Sequence, residues 1–215
     1  NTTDLYTVFG LPNETNYSAP AATLEMNYDA GDVKLTSVTG WRDSRENQTQ
    51  DFDGSSTDLY YVRRLQNYEQ WSQELRLASD FSGNWNFLVG AFYLNYESVD
   101  RYYIYSSAIE LTGETLGIPE SQARYTNDAS PYQLQTYAGF GEVYWQARDD
   151  ILATLRARYT YEEKKVSQRT VYLGFLDDPF SENEGYNDFD GNWDEPTGKL
   201  NVTWDVTDEL MTYAT

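Results

Sequence analysis

The sequence contains neither cysteine nor histidine. Their absence removes disulfides, thiolate chemistry and the ordinary zinc sites together, and a cysteine-free chain fits an oxidising compartment. Positive charge is also scarce, with 15 Lys+Arg against 35 Asp+Glu and a formal net charge of −20. That sign excludes nucleic-acid phosphate as a partner and leaves cationic ligands and metal ions open. Long apolar runs are missing: the longest, FLVGAFYL from Phe87 to Leu94, falls well short of the roughly 18 residues of a spanning helix. Nothing reads as a signal peptide. Asn1 begins in polar, loop-like sequence and Thr215 ends inside a strand pattern, so both ends read as cut from a longer protein.

What is present is aromatic and alternating. Hydrophobic residues make up only 40% of the chain, yet aromatics reach 16% with 20 Tyr, a balance that suits strands with one wet face. In WSQELRLAS, Trp71, Leu75 and Leu77 share one face while Ser72, Glu74 and Arg76 share the other. Such period-two segments come in pairs joined by a few turn residues. The pairs are 22–29 with 33–44, 68–79 with 85–99, 134–148 with 151–166, and 199–205 with 210–214. Long polar connections, roughly 45–67, 98–133 and 167–195, separate them. Strict alternation of short and long links predicts antiparallel up-and-down strands with all long loops at one end. Within the second connection, AIELTGETLGI is expected to hold a short helix.

The apolar faces carry aromatics at both ends. Trp85, Phe87, Val89, Ala91 and Tyr93 form one such band. Tyr137 to Trp145 and Ile151 to Tyr159 repeat it, and Val33 and Trp41 bracket an earlier strand at the same spacing. Eight residues at about 3.3 Å, tilted by roughly 40°, rise about 20 Å, close to the separation of aromatic girdles on a membrane barrel wall. Two misfits stand out: Gln73 on the apolar face, and Leu88, Phe92 and Leu94 on the polar one. A soluble β-sandwich also alternates in and out, but its strands usually run about five or six residues. The Gln133 to Arg148 segment is far longer, longer even than the 9 to 11 or so residues that cross a bilayer. The expected fold is therefore all-β, an antiparallel up-and-down transmembrane β-barrel of which this chain supplies about eight strands.

Three segments, WSQELRLASDFSGNWNFLVGAFYLNYE, YAGFGEVYWQARDDILATLRARYTYEEK and GKLNVTWDVTDELMTYAT, resemble successive barrel hairpins of the TonB-dependent receptors of the Gram-negative outer membrane. VKLTSVTGWRDSRENQTQDFDGS resembles the strand and outer loop that precede them. The resemblance implies a large barrel of about 22 strands, filled by a plug domain and preceded by a segment that contacts TonB. Residues 1–215 would then be part of the barrel domain, without the plug or the C-terminal strands. It implies import of a scarce nutrient, with a ferric siderophore first, then cobalamin and oligosaccharides. Expected partners are outer-membrane lipid and lipopolysaccharide, the protein's own plug domain, TonB and a small nutrient ligand. On this reading Trp41, Trp71, Leu75, Leu77, Trp85, Phe87, Val89, Tyr93, Tyr137, Val143, Trp145, Leu155 and Tyr159 face lipid. Glu74, Arg76, Glu142, Arg156 and Arg158 face the lumen.

Without histidine and cysteine, carboxylates are the main acid/base candidates for an enzyme, but no pair among 35 acids stands out and catalysis is not expected. The third long connection, LDDPFSENEGYNDFDGNWDEP, gathers acids without a Lys or Arg. Its Asp188, Asp190, Asn192 and Asp194 alternate around Gly191 and offer hard oxygen ligands suited to calcium, although the spacing is not that of an EF-hand. A solvated acidic loop is the plainer alternative, and no other cofactor is expected. Tyr60, Tyr61, Tyr102, Tyr103, Tyr105 and Trp193, in the connections, either pack the loops together or stack on a ligand. Rival readings are a secreted carbohydrate-binding β-sandwich with a calcium site, and a complete small eight-stranded outer-membrane barrel.

Overall fold

The computed structural model describes residues 13–53, 60–106, 111, 115, 117, 125–171 and 186–215. Most of them lie in one antiparallel sheet of nine strands. The strands are β1 (Glu14–Ser18), β2 (Ala21–Asp29), β3 (Val33–Asp51), β4 (Tyr60–Ser79), β5 (Trp85–Ser106), β6 (Tyr125–Arg148), β7 (Ile151–Val171), β8 (Asn187–Thr207) and β9 (Leu210–Ala214). From β3 to β9 each strand pairs with the next in sequence. β1 and β2 share one edge of β3, with Ser18 opposite Arg45 and Ala21 opposite Arg42. Pro20 lies between them and has no N–H to donate, while its carbonyl accepts the Asp43 N–H at 3.0 Å. The two strands are thus one span broken at a proline, and the nine strands make the eight expected spans.

The described strands make a single open sheet, with β1 and β2 at one edge and β9 at the other. Neither a two-sheet sandwich nor a closed eight-stranded barrel forms among the described residues. The short links lie where alternation placed them, at 30–32, 80–84, 149–150 and 208–209. Gly31, at φ +70°, supplies the left-handed residue of the first turn. Neighbouring turns also lock together: the Asp80 N–H donates to the Asp32 carbonyl at 2.8 Å, and the Gln146 N–H to the Asn84 carbonyl at 2.8 Å.

At the other end the expected boundaries fall short. β3 runs to Asp51 rather than Ser44, β4 starts at Tyr60 rather than Tyr68, and β8 starts at Asn187 rather than Lys199. The strands from β3 to β8 hold 19 to 24 residues, about twice what a bilayer needs. Much of what reads as polar loop is paired strand. Of AIELTGETLGI, only Leu111, Thr115 and Gly117 are described, the first two with helical backbone. The rest of that helix expectation lies outside the described residues.

β6 carries one residue more than both neighbours between Ala129 and Tyr132. A bulge of this kind accommodates Pro131, which a regular central strand would not. It also reverses the facing of β6, so Asp128 lines up with Arg101 on β5 and Arg169 on β7.

Candidate functional site

The pairing register sorts the side chains into two faces. On the first, Trp41 lies opposite Trp71, Leu77 opposite Val89, Trp85 opposite Trp145, and Tyr93 opposite Tyr137. Leu75, Phe87, Val143, Leu155 and Tyr159 belong to the same face. Ten of these thirteen residues are exposed; Leu77, Phe87 and Tyr93 are intermediate. A core would cover such residues, but this face covers nothing. Trp85 stacks on Trp145 at 5.3 Å between ring centroids, with planes 9° apart. At the far end of the apolar band, Tyr93 meets Trp71 at 5.5 Å and Tyr137 at 5.0 Å. The row continues through Tyr161, 6.4 Å from Tyr137. The sequence pattern puts the end of that band at Tyr159, which lies one step lower opposite Gly139; the alternation of YTY fits either tyrosine. Trp204 also extends the lower row, opposite Ile151, with its Nε1–H donating to Asp150 Oδ2 at 3.0 Å.

Gln73, the misfit on this face, is satisfied within the sheet. Its amide oxygen accepts Thr39 Oγ1–H at 2.6 Å, and its amide nitrogen donates to Ser37 Oγ at 2.9 Å. A polar side chain on an apolar face is tolerated once such groups are paired.

The second face is crowded and polar. Ser44, Ser98, Thr136, Thr154 and Ala138 are all buried although no second layer covers them among the described residues, so the side chains converge and this is the inside of the curve. Glu74 and Arg76 pair at 3.0 Å. Glu142 accepts from Arg156 Nε at 3.1 Å and from the Tyr144 hydroxyl at 2.6 Å. Arg158 bonds no carboxylate among the described residues; its guanidinium lies 5.7 Å from the Phe140 ring and 6.0 Å from Phe92. Cation–π attraction therefore accounts for Phe92, which hydropathy alone marks as misplaced. Gly90 makes this stack feasible, because a Cβ there would stand 2.4 Å from Phe140 Cζ.

Nearer the long-connection end, the same face turns aromatic. Tyr68 stacks on Tyr96 at 5.5 Å, Tyr96 meets Tyr132 edge-on at 6.1 Å, and Arg42 lies 5.7 Å from the Tyr68 ring. Arg42 also donates to the Tyr17 hydroxyl at 3.2 Å. Sequence reading did not single out this tyrosine row, because its members lie on separate strands and only the register brings them together. Arg64 and Asp100 close the tier with two hydrogen bonds, at 3.1 and 2.7 Å.

The expected calcium ligands are not in a loop. Asp188, Asp190, Asn192 and Asp194 lie at alternate positions of β8, on the side that bears Leu200 and Trp204. Same-face neighbours on a strand stand roughly 6.6 Å apart, too far for four side chains to converge on one ion at about 2.4 Å. No group of three or more His, Cys, Asp or Glu is placed to hold a metal among the described residues. The connection aromatics split. Tyr61 and Tyr105 stack at 4.5 Å with planes 4° apart, while Trp193 lies on β8 with Lys164 5.2 Å from its ring.

The model of the family described as TonB dependent receptor-like, beta-barrel, matches residues 1–215. No curated protein matches in sequence. Among solved structures, the ferric yersiniabactin uptake receptor of Yersinia pestis superposes with a TM-score of 0.72 at 16% identity, covering 93% of this chain and 27% of that one. A ferric citrate transporter in its unliganded form gives 0.63 at 14% identity, covering 90% of this chain and 26% of that one. The siderophore receptor of Acinetobacter baumannii gives 0.60 at 13% identity, with 90% and 31% covered. The chain thus spans about a quarter to a third of these proteins, with which it shares the fold.

Proposed function

Because the chain belongs to the TonB-dependent receptor β-barrel family, we propose that it forms part of the wall of an outer-membrane receptor that takes up a ferric siderophore. One observation carries the reading: a continuous sheet with an exposed apolar face edged by aromatic rows and a crowded polar face behind it. Water on both sides would leave the apolar face uncovered, whereas lipid on one side and a wet interior on the other suits both. In this reading the outer-membrane lipid and lipopolysaccharide meet the face of Trp41, Leu75, Val89 and Leu155. Glu74, Arg76, Glu142, Arg156 and Arg158 face the lumen, where the protein's plug domain seats. TonB supplies the force that remodels the plug. The tyrosine row with Arg42 lies toward the external mouth and belongs to the vestibule that receives cargo.

Iron chelates are favoured as cargo because the structural neighbours named above handle ferric yersiniabactin, ferric citrate and siderophores. The family is one of receptors, and this reading assigns the chain no catalytic step. The test places the full-length gene in an iron-restricted host stripped of its own siderophore receptors and follows radioactive iron uptake from a siderophore panel. Uptake that disappears when TonB is deleted is expected. Absence of uptake from every iron chelate, with the protein present in the outer membrane, would overturn the cargo assignment.

A further inference from the structure

Two hollows adjoin on the aromatic-edged face, one on each side of the row formed by Trp71, Tyr93 and Tyr137. Most of their lining residues share the face of Trp41 and Trp71, which the plug does not meet. The polar hollow, of about 510 Å³, lies beyond the row toward the long connections. In it Asp43, Glu69 and Glu97 stand directly opposite one another across β3, β4 and β5, an arrangement in which like charges repel. Each is oriented through one oxygen: Arg45 donates to Asp43 Oδ2 at 2.9 Å, Trp41 Nε1–H to Glu69 Oε1 at 3.0 Å, and Gln133 Nε2 to Glu97 Oε2 at 3.2 Å. The second oxygen of each carboxylate and the whole Asn67 amide have no partner among the described residues. These acids are not placed to hold a metal ion, and a bare phosphate would be repelled by them. Sugar hydroxyls fit both needs, since they donate to carboxylates and accept from an amide, and Trp71 offers an aromatic surface at the edge.

The apolar hollow, of about 390 Å³, lies on the other side of the row. Ala91 faces Gly139 across β5 and β6, with Leu75 and Tyr159 as their outer neighbours. A Cβ at Gly139 would meet nothing within 4 Å, and its backbone is not left-handed, so the sheet itself does not require a glycine there. Gly90 is the contrast, because a Cβ there would strike Phe140. Glycine weakens a strand interior, and one without an internal reason marks the close approach of something else. Four residues separate Asn67 from Trp71, about 10 Å along the tilted strand. The polar hollow therefore stands at headgroup depth and the apolar one among acyl chains.

We propose that the two hollows together hold one glycolipid of the outer leaflet, with a headgroup sugar against Asn67, Glu69 and Glu97 and an acyl chain over Ala91 and Gly139. The proposal rests on the reading that this face meets lipid, and it names the class of lipid. The test is native mass spectrometry of the full-length protein in sugar-free amine-oxide micelles, offered diglucosyl diacylglycerol and, separately, phosphatidylglycerol with the same chains. Retention of one glycolipid per protein is expected, about tenfold tighter than phosphatidylglycerol. The Asn67→Ala/Glu97→Gln double variant and Gly139→Leu should each weaken it about tenfold. Both should fold as the parent does, because Asn67 and Glu97 are exposed and a side chain at 139 has open space. Glu163→Gln removes an acid of the same face outside the hollow, opposite Gln135, and should leave retention unchanged. Equal retention of the two lipids, full retention by the variant of either hollow, or an equal loss in Glu163→Gln would overturn the site alone. A full-length protein that does not insert into lipid vesicles would overturn the lipid-facing reading and the site with it.

Discussion

Val89→Arg and Leu88→Arg place the same charge at the same height on opposite faces of β5. Val89 is 45% exposed on the apolar face, four residues from Trp85 and four from Tyr93. Four residues along a strand tilted by about 40° rise roughly 10 Å, so Val89 stands near the middle of the apolar band. Arginine at the bilayer midplane of a barrel costs about 2–4 kcal/mol, which is roughly a 30- to 700-fold shift of the folding equilibrium. Leu88 lies opposite Glu142 on β6. An arginine there enters a wet, acid-bearing environment, and its cost should stay within about 1 kcal/mol. The assay is urea-dependent folding of the full-length protein into lipid vesicles, read by the heat-sensitive electrophoretic mobility of the folded barrel. Equal cost at the two positions, or a neutral Val89→Arg, would refute the assignment of the faces.

Gly90→Ala should destabilise by about 1–3 kcal/mol, since the new Cβ would meet the Phe140 ring at 2.4 Å and the Leu75 carbonyl at 2.8 Å. Gly139→Ala, with nothing within 4 Å, is the neutral control in the same folding assay. The Tyr186 hydroxyl donates to Asp128 Oδ2 at 2.7 Å, and the Asp128 side chain is only 5% exposed. A double-mutant cycle of Tyr186→Phe and Asp128→Asn, read by proteolytic protection of that contact, should give a coupling of about 1.5–3 kcal/mol. Burial, then the bond to Asp128 and its charge, raise the Tyr186 pKa above the ordinary tyrosine value. A raised folded pKa means the coupling is fully present below about pH 10 and is lost as pH climbs through the folded value. Coupling that is already lost between pH 7 and 9 would contradict that origin.

The stretch between the aromatic rows was legible because, on the proposed reading, one face there must avoid water. That demand writes alternation into the residues, and each turn is marked by Gly or Asp between two alternating runs, as at Ala30–Asp32 and Asp149–Asp150. Beyond the Tyr93–Tyr137 row both faces carry polar residues, and hydropathy no longer distinguishes a strand from a loop. Asn187 to Glu195 is strand because β7 offers it a ladder, with Lys165 opposite Asp190 and Glu163 opposite Asn192. Nothing in its own composition requires that. The acids around Gly191 show the same limit: in sequence they look like a coordinating loop, and only pairing with β7 reveals them as alternate positions along a strand.

The polar face shows the converse limit. Glu74 with Arg76 was legible, since partners two apart on one strand share a face whatever the register. Glu142 with Arg156, and Gly90 with Phe140 and Arg158, required the cross-strand register that places them in adjacent positions. In a sheet whose neighbours are set by turn geometry, a one-residue change in the β6–β7 turn would bring Arg156 opposite a residue of the apolar face and break its contact with Glu142. The short turns therefore do more than reverse the chain. By fixing β6 against β7 at Asp149–Asp150, they determine which charges meet on the inner surface.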